Sequence, residues 1–161
     1  MDLMVNKSHL ERIELAIIQA INTMTVANGY NYDWESVNQE DLNKVSSFPH
    51  INIYLDDEED FDEDAYCKTQ FRATDTWRFE CFNKIEDEES DSMWTSYYYQ
   101  ESMIADIKKL TGDNKNLGLL VGNFIYVSSE FEDYGQGEDI FIPLKLIVKV
   151  KTDYIENRNA I

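Results

Sequence analysis

"QFRATDTWRFECF", residues Gln70 to Phe82, alternates with a period of two. Phe71, Ala73, Trp77, Phe79 and Cys81 fall on one face, and Arg72, Thr74, Thr76, Arg78 and Glu80 fall on the other. In a strand successive side chains point to opposite faces, so this pattern predicts a β-strand in a sheet with one apolar side. Asp75 interrupts the apolar side, which predicts a bulge or a sheet rim at that position.

Working outward, "FPHINIYL" alternates in the same way, with Ile51, Ile53 and Leu55 opposite His50, Asn52 and Tyr54. Pro49 suits the start of such a strand. Downstream, Leu119, Val121, Ile125 and Val127 predict a third strand. Ile140, Ile142, Leu144, Leu146, Val148 and Val150 predict a fourth, with Lys145, Lys149 and Lys151 opposite. Ser8-His9-Leu10-Glu11 has the form of a capping box. Leu10, Ile13, Ile17, Ala20, Ile21 and Met24 then recur at helical spacing, predicting a helix over about 8–27 that Gly29 ends. A second helix is expected over about 92–111, with Ser92 as cap, Met93, Tyr97, Ile104, Ile107 and Leu110 on one face, and Gly112 as the stop. "GYNYDWESV" reads either as a short edge strand or as a loop pinned by its aromatic rings.

The order helix, strand, strand, helix, strand, strand predicts an α+β fold: a single antiparallel sheet of about four strands with two helices packed on one face. A chain of 161 residues with 43% hydrophobic content is expected to form a single domain over 1–161. Its structured core is expected over about 8–152, with 153–161 as a flexible tail.

The formal net charge is −18, and it is unevenly placed. Asp56, Asp57, Glu58, Glu59, Asp60, Asp62, Glu63 and Asp64 form one run. Glu86, Asp87, Glu88, Glu89 and Asp91 form a second. Glu130, Glu132, Asp133, Glu138 and Asp139 form a third. These runs hold 18 of the 32 acids and no Lys or Arg, so the remaining 14 acids are matched by the 14 Lys and Arg. Each run is expected at a joint between elements, the first and third at hairpin tips. They read either as solvated loops or as a shared electrostatic feature that faces a partner or a lumen. A polyanionic chain does not grip a phosphate backbone or an anionic membrane surface. No apolar stretch approaches the length of a membrane span. The first residues lack the secretory-signal pattern, and Cys67 and Cys81 do not make a disulfide framework, so a soluble, cytoplasmic protein is expected.

Catalytic and metal chemistry find no support in the spacing. A calcium loop begun at Asp60 places Ala65 where the sharp turn needs Gly and Phe71 where a bidentate Glu is needed. Begun at Asp56, it places Phe61 and Cys67 there. Cys67, Cys81, His9 and His50 lack zinc-ligand spacing. No nucleophile elbow or phosphate-cradling loop occurs. The expectation is therefore no enzyme, no metal and no cofactor. Trp94, Tyr97, Tyr98 and Tyr99 form an aromatic cluster. Three successive helical tyrosines point about 100° apart, so at least one must face solvent, and surface Tyr and Trp anchor protein contacts. Lys145, Lys149 and Lys151 form a basic stripe that is either a solvated strand face or a contact for an acidic run of a neighbouring copy.

The layout of "FPHINIYL", "QFRATDTWRFECF", "SYYYQESMIADIKKL" and "DIFIPLKLIVKVK" behind an N-terminal amphipathic helix resembles the tail terminator and neck proteins of tailed bacteriophages. The resemblance covers about residues 8 to 152 and rests on order, length and hydrophobic pattern. It implies a structural protein of the virion, assembled in the host cytoplasm. It also implies a homo-oligomeric ring, usually sixfold in that family, that ends the tail tube and meets the head connector while the genome passes through. No active residue carries over. The alternatives are another neck or tail-tube protein, or an acidic DNA mimic that binds a basic partner.

Overall fold

The structure, a computed structural model, describes residues 8–37, 49–61, 70–86, 93–132 and 141–157. Helix α1 spans His9–Asn22, a 3-10 turn Val26–Asn28, strand β1 Glu35–Val37, β2 His50–Phe61, β3 Gln70–Glu86, helix α2 Met93–Asp113, β4 Asn123–Glu132 and β5 Phe141–Asn157. The strands form one five-stranded sheet in the order β1-β2-β3-β5-β4. The fold is α+β, as expected, with two α-helices and one sheet among the described residues. The sheet differs from expectation in being mixed: β1 is an additional strand and lies parallel to β2, while every other pairing is antiparallel.

β3 is the spine of the sheet. It pairs with β2 from His50↔Phe82 to Phe61↔Arg72 and with β5 along its whole length, from Gln70↔Asn157 to Glu86↔Phe141. Its apolar face is the one the alternation marks: Ala73, Trp77, Phe79 and Cys81 are buried. Burial raises the Cys81 thiol far above its ordinary pKa. Ile51 and Ile53 of β2 and Leu146, Val148 and Val150 of β5 lie in register on the same side. Ile13, Ile17, Ala20 and Ile21 of α1 and Met103, Ile107 and Leu110 of α2 join this one core, so both helices cover one face of the sheet. Asp75 is buried on that face, but β3 does not bulge there; the irregularity falls on the facing strand, between Leu55 and Asp57. Trp77 donates its indole N–H to Thr152 at 2.9 Å, which settles a polar pair inside the core.

α1 starts where the cap predicts, with the Ser8 hydroxyl accepting from the Glu11 amide at 3.2 Å. It stops earlier than expected, at Asn22. Gly29, at φ 92°, instead caps the short turn that follows. The Asn22 side chain accepts from the Ser36 amide at 3.3 Å and so helps to set β1 beside the helix.

Four expectations need correction. The third predicted strand begins at Asn123, and its phase is reversed. Phe124 is buried and Tyr126 packs against the core, whereas Ile125 and Val127 are about half exposed and Leu119 is almost wholly exposed. Leu117, Gly118 and Leu119 take successive left-handed conformations, at φ 46°, 67° and 72°, and a bulge follows between Tyr126 and Ser128. The turn and the bulge both break the simple alternation. On α2, Met103 rather than Tyr97 belongs to the buried stripe. Residues 153–157, expected as tail, continue β5 and pair with β3. The first acidic run is not wholly a hairpin tip, since Asp56 to Asp60 lie within β2.

Candidate functional site

The register of the sheet sorts the acidic runs by position. Glu86 pairs with Phe141, Glu130 with Ile147 and Glu132 with Lys145, so the described members of the second and third runs lie toward one end of the sheet. Asp57, Glu58, Glu59 and Asp60 pair with Thr76, Asp75, Thr74 and Ala73, placing the first run toward the opposite end. Asp62, Glu63, Asp64, Asp87, Glu88, Glu89, Asp91, Asp133, Glu138 and Asp139 lie outside the described residues. Among the described residues, the members of the three runs therefore lie toward both ends of one sheet, which no single run reveals.

Between those ends, the face turned away from the helices carries the cations. Arg78 of β3 lies in register with Lys149 of β5, and both reach Asp56 at 3.5 Å. Asp56 is the extra residue of the β2 irregularity, which sets it beside two cations. Arg78 also contacts Glu80 at 3.4 Å and lies 4.8 Å from the centre of the Tyr54 ring. Burial and then the Glu80 charge raise the Tyr54 phenol above its ordinary pKa, with Arg78 acting against them. Nearer the second and third runs, Lys145 reaches Glu132 at 3.7 Å and lies over the Phe82 ring. Phe82 stacks on His50 at 4.8 Å. His50 is on the polar face, as expected, yet it is buried, together with Asn52 and Phe82. Lys151 is exposed on the same face as Lys149. Thus Lys145 and Lys149 of the predicted stripe already have partners within the chain.

The aromatic cluster divides. Tyr97 and Tyr98 are exposed, at 50% and 62%, and meet edge to face at 6.0 Å. Tyr99 is half-buried and stacks on Tyr32 at 5.8 Å. Trp94 lies in the first turn of α2, and its side chain is outside the described residues.

A constellation that the sequence reading did not single out lies beside this cluster. Asp106, buried on α2, accepts from the Asn31 amide at 2.8 Å, the Asn31 side chain at 3.0 Å, the Tyr32 amide at 3.2 Å and the Trp34 indole at 2.8 Å. The stretch 30–34 is therefore a loop pinned to α2, and only 35–37 forms the edge strand. The available signal was an acid within the buried stripe of α2, between Met103 and Leu110. Tyr30 adds a second tie, donating to Asp113 at 3.1 Å, and Lys109 reaches the same carboxylate at 3.1 Å. The Lys109 contact holds the Asp113 carboxyl below its ordinary range, while burial and then Asp113 push the Tyr30 phenol well above its own. Asp106 thus ties the 30–34 loop to α2 through donors that all come from that loop.

Among the described residues, no group of three His, Cys, Asp or Glu side chains is placed to hold a metal ion, and no helix is long and apolar enough to cross a membrane. No protein-family model matches this sequence, and no curated protein matches it.

Proposed function

We propose that this chain is a non-enzymatic assembly protein of the tail-terminator or neck type. In this reading it forms a ring on the tail tube, joins it to the head connector and lets DNA pass through. The observation that carries the reading is the arrangement of charge on the sheet: acids toward both ends, and a cationic patch between them on the face away from the helices. Adjacent copies could then place an acidic end of one sheet against the Lys149–Lys151 patch of the next, a head-to-tail contact that closes when the rotation per copy allows it. The in-chain pairs of Lys145 and Lys149 are partly exposed, so exchanging them for an intermolecular partner costs little. Acidic segments facing a lumen would repel phosphate and let the genome slide.

Negative-stain imaging of the protein, alone and mixed with tail tubes, tests the proposal. Rings in solution or at tube ends are expected, and they should dissociate as salt rises because surface pairs are screened. A protein that stays monomeric with tubes and instead binds a basic DNA-binding enzyme would favour the mimic.

A further inference from the structure

β4 is an edge strand of the sheet and is ten residues long. Its sequence, "NFIYVSSEFE", contains no Lys, Arg or Pro. Exposed edges offer unpaired backbone groups, and proteins commonly blunt them with Lys, Pro, a bulge or very short length. The start of the edge is closed, because Phe124 gives its amide to the Lys115 carbonyl at 2.8 Å. The bulge at Val127 and the charges of Glu130 and Glu132 are the other protections, and beyond the bulge Ser128 to Glu132 run in regular register with β5. Ile125 and Val127 stay about half exposed, at 49% and 46%. Glu130 is exposed and, among the described residues, has no ion-pair partner; Glu132 is 47% exposed with Lys145 at 3.7 Å.

We infer that the outer edge of β4 from Ile125 to Glu132, which no other described strand pairs, docks an extended, cationic segment of a partner protein. The segment adds to the sheet as one more strand, with Lys or Arg beside Glu130 and Glu132 and an aliphatic side chain beside Ile125. Backbone pairing supplies affinity in such additions, and alternate side chains supply selectivity. Charge complementarity selects a cationic occupant. A second copy does not fit. At this edge its own β4 would bring the same acids, and its lysine-bearing strand β5 is already paired on both sides. β1 is three residues long and begins with Glu35. The inference does not depend on ring formation.

The probe is a fluorescent eight-residue valine-rich peptide with lysines only at the two positions that face Glu130 and Glu132, titrated against the full chain. Saturable anisotropy is expected, with slowed amide exchange concentrated in residues 125–132, since the Phe124 amide is already bonded to Lys115. The same peptide N-methylated at alternate backbone positions keeps its charge but cannot pair with an edge, and it should bind about tenfold more weakly or worse. Glu130→Lys should weaken the unmethylated peptide by about tenfold as well. Equal binding of the methylated peptide, or protection centred outside β4, overturns the inference and leaves attraction by the acidic runs alone. Self-association through β4 in place of peptide binding overturns it too. The methylated control uses the unaltered protein, so the test stands even if the Glu130 variant folds poorly.

Discussion

Asp106 and Asp56 each gather donors from residues distant in sequence, yet they sit in opposite settings. Asp106 is buried beneath the 30–34 loop and receives amides, a carboxamide and an indole at 2.8 to 3.2 Å. Asp56 lies on the helix-free face and faces Arg78 and Lys149, each at 3.5 Å, with its side chain 28% exposed. The second has full charges opposite it and the first has mostly neutral dipoles. Formal charge alone would rank Asp56 higher. Burial reverses the order. Donors that lose a buried acceptor recover little from water, whereas exposed ion pairs exchange each other for solvent at almost no cost.

The largest effect should follow Asp106→Ala. It orphans the Trp34 indole and the backbone amides of Asn31 and Tyr32, and the expected loss is about 3 kcal/mol or more in urea unfolding. A loss below about 1 kcal/mol would mean that the loop finds other partners, and the contrast with Asp56 would collapse. Tyr30→Phe comes next. It removes one partly buried bond, so about 1 kcal/mol is expected at neutral pH. Its sharper signature is alkaline. The Tyr30 phenol is raised above its ordinary 10.0 in the folded state, so its contribution is complete below that value and declines as pH climbs above it. The variant should flatten that part of the stability–pH curve; an unchanged slope would place the alkaline sensitivity elsewhere. Asp56→Asn should have the smallest effect, within about 0.5 kcal/mol, and smaller still at high salt. A larger loss would show that the Arg78–Asp56–Lys149 row is stiffer than its exposure implies.

The elements legible in the sequence are those whose pattern is local. The alternation of Gln70–Phe82 identifies β3 and its buried face, and the stripe from Ile13 to Met24 identifies the inner face of α1. Phe124 and Val127 show where local pattern fails. Phe124, Ile125, Tyr126 and Val127 are all apolar, so sequence spacing names no inward face there; after the left-handed turn at Leu117–Leu119 the strand buries Phe124 and leaves Ile125 and Val127 about half exposed, with the bulge at Val127. Helical spacing includes Tyr97 in the predicted stripe, yet Met103 is buried and Tyr97 exposed, because tyrosine fits a core position or a surface one equally well in sequence.

By itself the sequence determined the α+β class, the buried faces of α1 and β3, and the confinement of net charge to three short runs, because composition and periodicity are properties of the chain alone. The tertiary structure decided that Glu86, Glu130 and Glu132 lie toward one end of the sheet and Asp57 to Asp60 toward the other, and that Asp56 joins Arg78 to Lys149. It also decided that Asp106 holds the 30–34 loop. Register and packing set those relations across 22 to 93 residues of chain (Asp56 to Arg78 and to Lys149), a span over which no local periodicity carries information.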